Sequence, residues 1–378
     1  MNILVIAHYQ SDGSPCASFV HDQVKAYHAL GHNVRVIVPI AVGKGGFQES
    51  SRFSTLQREF DNIWYLHMRF LSLSNFGKNG FNTKSAIGSL RWHLPLVLNN
   101  FQPDIIHAHT LGFDSDIGTW LKKKLGCPLV VTTHGSDITV PYLEGKKDWL
   151  KSCCDQTDAV VGVSSKLIHQ LKDCGTRTRL QSILNGFAIE HLSATAKTPD
   201  TWLQVCNLIP SKHADTTIRA FAMHLEKHPN AHLTIIGHGG ERAKLESLCV
   251  ELGISHAVHF TGALPNRDVL AKMAATQFFV MPSHPEGFGI VYLEAMANGC
   301  ITIGTEGEGI ADLIISGKNG FLVPPDAPNT IAQVIDWCLA NQEDSAAITE
   351  HGRCDALNLT WAENAQAYTL LFKELIGK

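Results

Sequence analysis

Short apolar runs alternate with helix-periodic stretches along nearly the whole chain, and no other feature restricts the fold as tightly. In the first half the strand-like runs are Asn2–Ala7, Asn33–Val38, Ile63–Met68, Asp104–Ala108, Leu129–Thr133, Ala159–Val163 and Leu180–Leu184. Helical patterns lie between them, notably Ala17–Leu30 and Ser164–Asp173. Between Asn185 and Thr201 the apolar periodicity lapses, which marks a linker. The alternation then restarts with Trp202–Cys206, Asp215–His228, His232–Ile236, Gly240–Leu252, Ala257–Phe260, Phe278–Met281 and Ile301–Gly304. Strand–helix alternation of this kind predicts parallel sheets covered by helices. The chain therefore reads as α/β, with two Rossmann-like doubly wound domains in tandem, 1–190 and 191–360. A closing helix, 361–378, would pack back toward the N-terminal domain. In such sheets ligands sit at the C-terminal ends of strands.

Composition narrows the class. A chain of 378 residues can bury two cores, and a net charge of −4 with 17% charged residues shows no commitment to nucleic acid. The ten cysteines form no CxxC pair and several fall in apolar patterns, which suits reduced, buried thiols better than disulfides. The opening MNILVIAHYQ has no basic flank and too short an apolar run for a secretory signal. No window approaches the roughly 20 apolar residues of a spanning helix. These features predict a cytoplasmic protein.

One segment carries the strongest chemical signal: PSHPEGFGIVYLEAMANG, Pro282 to Gly299. The preceding FFVM reads as a buried strand, Pro282 to Gly289 as a turn-rich loop, and Ile290 to Asn298 as a helix capped at Gly299. The unpaired amides of such a helix start, with the positive end of its dipole, form an anion site. Gly287 and Gly289 allow backbone to approach a phosphate closely. Glu286 and Glu294 bracket this junction. A carboxylate is a poor phosphate ligand, so Glu294 is better suited to accept hydrogen bonds from the hydroxyls of a nucleotide's ribose.

Other segments converge on the same ligand. NLIPSKH, Asn207 to His213, follows a strand and offers Lys212 as a cation for a departing diphosphate. On position alone it would be a solvated loop lysine. IIGHGG, Ile235 to Gly240, is a strand followed by glycines, without the full dinucleotide or Walker spacing. TTHGSDI, Thr132 to Ile138, places His134 at a strand end, where it either packs structurally or meets a bound sugar. Asp137 either caps the next segment or orients His134. His107 and His109 of HAH, taken with His134, invite a zinc reading, but no carboxylate or cysteine completes a ligand set with helical spacing. Asp114 and Asp116 form a DxD such as metal-dependent transferases use, but N-capping of the following helix explains them more simply. Arg69 to Arg91 has four basic residues, no acidic one and interleaved aromatics, and reads as a surface loop plus core helix, or as a patch for anionic lipid.

Taken together, the ordered set resembles glycosyltransferase family 4, the retaining nucleotide-sugar-dependent transferases of GT-B architecture, in which the two domains face a central cleft. The set comprises GHNVRVIVP, PDIIHAH, TTHGSDI, VGVSS, ILNGF, NLIPSKH, FTGALP, the Glu286/Glu294 pair and GKNGFLVPP, and it covers almost the whole chain. The resemblance implies that Glu286 lies beside the transferred sugar and Glu294 on the ribose. It implies backbone contacts to the donor from Gly287, Phe288 and Gly289, with the helix amides through Ile290 helping to hold the diphosphate. It implies that Lys212 neutralises the diphosphate, that His134 meets the sugar from the other domain, and that Gly237 and Leu264 enclose base and diphosphate. Three positions depart from the pattern. Asn207 stands where an arginine is frequent, SPCASF where a glycine is usual (so that Gly13 would substitute), and Glu308 where a second glycine is common.

The reaction this implies is transfer of a sugar, with retention, from a nucleoside-diphosphate sugar to an acceptor hydroxyl. No cofactor or metal is expected, since fixed cations and dipoles serve the leaving group. Family habit favours a UDP-sugar, a saccharide or lipid-linked saccharide acceptor in bacterial surface polysaccharide or glycolipid synthesis, and peripheral contact with the inner face of the membrane. The alternatives are a sugar-nucleotide epimerase of the same architecture and a non-catalytic sugar-nucleotide-binding protein.

Overall fold

The computed structural model describes residues 1–8, 16–42, 56–72, 80–188 and 196–377. The expected donor contact Gly13 and much of the Arg69–Arg91 loop lie outside them. The chain divides into two compact units: Met1–Leu184 with Trp361–Lys378, and Asn185–Thr360. Among the described residues no helix is long and apolar enough to cross a membrane.

The first unit holds eight strands: β1 (Asn2–Ile6), β2 (Asn33–Val42), β3 (Leu56–Phe60), β4 (Ile63–Leu71), β5 (Ile105–His109), β6 (Leu129–Thr133), β7 (Ala159–Gly162) and β8 (Arg179–Ser182). They form one sheet in the order β3-β4-β2-β1-β5-β6-β7-β8. All neighbouring pairs are parallel except β3 with β4, an antiparallel edge. The central strands are buried across their lengths, as IIHAH and LVVTT show, because helices cover both faces. Val20, Val24 and Tyr27 of the helix Ser18–Ala29 join Tyr368, Leu371 and Phe372 of the helix Trp361–Ile376 in one core. Gln23 Nε2 donates to Asn364 Oδ1 at 2.6 Å, and Thr132 Oγ1 meets the Tyr368 hydroxyl at 2.7 Å. The closing helix is thus an integral layer of this unit.

The second unit holds β9 (Thr198–Val205), β10 (His232–Ile236), β11 (Val258–Gly262), β12 (Thr276–Val280), β13 (Ile301–Thr305) and β14 (Phe321–Val323). Their order, β11-β10-β9-β12-β13-β14, is the Rossmann order, and every pair is parallel. The order in which strands are added reverses between β9 and β12, which makes that pair the switch point.

Two strands escape the sequence reading. β3 (LQREF) is a short, mostly polar edge strand, and β14 has three residues. β9 also begins at Thr198, four residues before the expected Trp202. Its opening TPDT is polar and bulged: Asp200 has φ +52° and the register with β12 shifts there. All ten cysteines are free and eight are buried, as their positions in apolar patterns suggest.

Candidate functional site

In the second unit the loops leaving β9 and β12 meet at the switch point. After β9 the chain makes a 3-10 turn at Pro210–Lys212, fixed from below by buried Gln204, whose Nε2 donates to the Lys212 carbonyl at 2.9 Å. His213 then takes a left-handed conformation, φ +46°, to enter the helix Ala214–Leu225. After β12, the His284 amide donates to the Ser211 carbonyl at 2.8 Å, so the two loops are stitched backbone to backbone.

This stitching pairs Lys212 with Glu286. The Lys212 ammonium donates to Glu286 Oε2, with side-chain exposures of 21% and 12%. Ser283 Oγ lies 3.0 Å from the same oxygen and 3.1 Å from the Ser211 carbonyl. The Gly287 amide donates to Glu286 Oε1 at 3.1 Å. Glu286 is therefore held at both oxygens, and its own carboxylate takes the first glycine amide expected for a donor.

Glu308, noted in the sequence as a departure from a common glycine, braces the loop. Its side chain is 2% exposed. Oε2 accepts the Glu286 amide at 2.5 Å and Oε1 meets His284 Nδ1 at 2.7 Å. The next residue, Gly309, lies so close that a Cβ there would stand 1.9 Å from the Gly287 carbonyl oxygen. The sequence signal that could have found Glu308 is its own departure: a buried carboxylate needs donors, and an adjacent loop of amides supplies them.

Gly289, φ +80°, caps the helix Ile290–Ala297. Phe288 is 1% exposed, so its ring belongs to the core. The Tyr292 hydroxyl donates to the Met281 carbonyl and fixes the helix to the end of β12. Ile290 and Glu294 are both half-buried on this helix, Glu294 just over one turn in. Asn207, Gly237 and Leu264 follow β9, β10 and β11, so the sheet order brings them to one edge. Asn207 is exposed, and Gly237 and Leu264 are half-buried. Gly237 has a packing requirement of its own: at φ +137° a Cβ would sit 1.8 Å from the Cys206 carbonyl oxygen.

In the first unit His134 follows β6, next to the end of β5. It is not a lone histidine. Its Nε2 lies 3.2 Å from His109 Nδ1, the rings stack at 5.4 Å, and Phe19 packs 4.6 Å from it. Burial, reinforced by His8 and His107, pushes the His134 pKa down to about 3. His107 is likewise held to about 3 by burial. The imidazole at 134 is therefore neutral, a hydrogen-bond partner and not a cation. Asp137 caps no helix end by itself: Oδ1 accepts the His134 and Gly135 amides at 3.1 and 3.0 Å, and Oδ2 the Leu111 amide at 2.9 Å. It orients the His134 backbone and not its ring. The N-capping expected of Asp114 and Asp116 is a correction. Both lie inside the first turn of the helix Phe113–Leu125, whose cap is Gly112, its amide donating to Ser115 Oγ at 2.9 Å. Asp114 instead accepts from Thr110 Oγ1 at 2.9 Å, and burial raises its pKa well above the usual carboxylate range.

These loops sit on a fold with known relatives. Residues 17–191 match the family described as Glycosyltransferase Family 4, and residues 189–355 match Glycosyl transferases group 1. An uncharacterized glycosyltransferase of Methanocaldococcus jannaschii is 28% identical over 274 residues, 72% of this chain and 76% of that protein. Sucrose-phosphate synthase from Thermosynechococcus elongatus superposes with a TM-score of 0.81 at 18% identity, covering 100% of this chain and 99% of its own. Anabaena HepE, solved with UDP and glucose, gives 0.75 at 20% identity over 99% of this chain and 100% of its own. The protein belongs to glycosyltransferase family 4 and has the two Rossmann-like domains of the GT-B class. It is a glycosyltransferase.

Proposed function

We propose that this enzyme moves a sugar, with retention of anomeric configuration, from a nucleoside-diphosphate sugar to an acceptor hydroxyl, and that it does so without a metal. The observation that carries the reading is the Lys212–Glu286 pair, held at the switch point beside the N-terminus of the helix bearing Glu294. A lysine and a helix start supply fixed positive charge where a diphosphate leaves. Glu286, anchored by Ser283 and the Gly287 amide, stands ready to stabilise positive charge at the anomeric carbon. Glu294 receives the ribose hydroxyls. In the same reading, attack comes from the face the diphosphate leaves, and the diphosphate takes the acceptor proton.

UDP is the favoured nucleotide, in keeping with the UDP bound in Anabaena HepE. The acceptor is a saccharide or lipid-linked saccharide of surface polysaccharide or glycolipid synthesis. Peripheral contact with anionic membrane belongs to the same reading, supported by exposed Leu71, Phe81 and Trp92, the last 87% exposed beside Arg91. Donor turnover over a panel of nucleotide sugars, with and without acceptors, tests it. Transfer should persist in EDTA, the product should keep the donor's anomeric configuration by NMR, and Glu286→Ala should abolish it. Near-normal transfer by Glu286→Ala, inversion, or activity restored only by a divalent ion would overturn the reading. Turnover of the nucleotide sugar alone to an epimer would favour the epimerase.

A further inference from the structure

The second unit carries another cluster of chemistry, at the end of β9 opposite Lys212. Asp200, His224 and His228 each offer a ligand atom, all within 4.8 Å of one another, the one such group among the described residues. His224 lies near the end of the helix Ala214–Leu225, and the His228 amide still donates to the His224 carbonyl at 3.1 Å. That extra turn puts both rings on one face at i and i+4, stacked 4.2 Å apart. The bulge at Asp200 turns its carboxylate toward them: Oδ1 lies 2.8 Å from His224 Nε2 and Oδ2 3.8 Å from His228 Nδ1.

A second carboxylate stands behind the rings. Asp336, on the helix Pro328–Ala340, accepts from His224 Nδ1 at 2.7 Å and lies 3.6 Å from His228 Nε2. Each imidazole thus turns one nitrogen to Asp200 and the other to Asp336. This is the carboxylate–histidine arrangement that orients metal-bound imidazoles. Lys227 binds the other Asp336 oxygen at 2.7 Å, which keeps that carboxylate in its outer position.

We propose that Asp200, His224 Nε2 and His228 Nδ1 form a structural site for a divalent transition metal of the zinc type, with Asp336 as the outer partner of both rings. Bonds of about 2.0–2.1 Å put tetrahedral ligands about 3.3 Å apart, between the 2.8 and 3.8 Å separations found here. The three ligand atoms lie within 4.8 Å of one another, and closing of these side chains seats the ion between them. His224 is fully buried, while His228 is 35% exposed and leaves room for a water as fourth ligand. The ion would tie the start of β9, the helix Ala214–Leu225 and the chain turn after it, far along β9 from the donor loops.

The full-length protein, stripped with chelator, is titrated with ZnCl2 by calorimetry and with CoCl2 by visible absorption. One tight equivalent is expected, with Co d–d bands of a low-symmetry site, and an upward shift of Tm by about 5–10 °C at a hundredfold excess over Kd. His228→Gln should lose that equivalent and the Tm shift. Asp336→Asn should keep the stoichiometry and bind about ten- to a hundredfold more weakly. His256→Gln, an exposed histidine elsewhere, should behave as wild type. Donor turnover at ambient temperature should be unchanged by His228→Gln, which separates this site from the transfer reaction. Absence of a tight equivalent, or an equivalent that survives His228→Gln or is lost equally in His256→Gln, overturns the proposal.

Discussion

Replacing Glu286 by Gln should make the protein bind a bare nucleoside diphosphate more tightly while ending sugar transfer. In the free enzyme Lys212 is already partnered by Glu286, and both are largely withdrawn from water. An incoming diphosphate must share that lysine with a carboxylate of its own sign. Glutamine keeps one oxygen for the Gly287 amide, now 3.1 Å from Oε1, and turns its NH2 to Ser283 Oγ, now 3.0 Å from Oε2, while removing the charge. A unit charge about 5 Å from a phosphate at an effective dielectric near 20 repels it by about 3 kcal/mol. Partial screening leaves about 2 kcal/mol, roughly a thirtyfold fall in Kd. Lys212→Met should act in the opposite sense, leaving Glu286 unpaired beside the phosphates, and the double variant should fall between. The assay is calorimetric titration with whichever nucleoside diphosphate binds wild type, sugar-free so that contacts between Glu286 and the sugar do not enter. If Glu286→Gln binds that nucleotide no more tightly than wild type, Lys212 is not the diphosphate's cation.

Glu308→Ala removes the acceptor of the Glu286 amide and the partner of His284. Displacing a reacting group by about 1 Å costs about a hundredfold in rate, so kcat should fall by that order while nucleotide affinity changes little; unaltered kcat in a folded variant refutes the bracing role. Gly237→Ala combines a left-handed φ with a Cβ 1.8 Å from the Cys206 carbonyl oxygen. It should cost more than about 3 kcal/mol of stability by denaturant unfolding. His107, held to about 3 by burial, stays neutral in the folded state, whereas the unfolded chain takes up a proton near pH 6.5. Its share of stability is complete above pH 6.5 and is lost as pH falls toward 3, at about 1.4 kcal/mol per unit. The stability gap between wild type and His107→Gln should narrow with that slope on acidification, and a gap independent of pH would refute it.

Where a side chain's partner is local in sequence or dictated by the sheet, the sequence announced it. The continuous apolar strands predict parallel pairing with ligand loops at the C-terminal strand ends, and the observed strand order places the loops of Lys212 and Glu286 side by side. What escaped notice depended on contacts across long stretches of chain. The pairing of Lys212 with Glu286 joins residues 74 positions apart, and the brace from Glu308 reaches back 22. The left-handed turn at Asp200 hides β9's first residues under a polar pattern. The sequence relates His134 to His109 only as an incomplete zinc set; their stacking, across strand ends 25 residues apart, is not legible there. The roles of Glu286, Glu294 and His134 toward a substrate rest on the family resemblance and on the tests above.

The helix Trp361–Ile376 has a consequence for how the molecule is made. The ribosome releases the first 184 residues long before Tyr368, Leu371 and Phe372 exist to fill the gap beside Tyr27. The intervening 185–360 segment is continuous and can reach its native state as it emerges. Until the helix Trp361–Ile376 emerges, the apolar face beside Tyr27 in the nascent first unit lacks its cover.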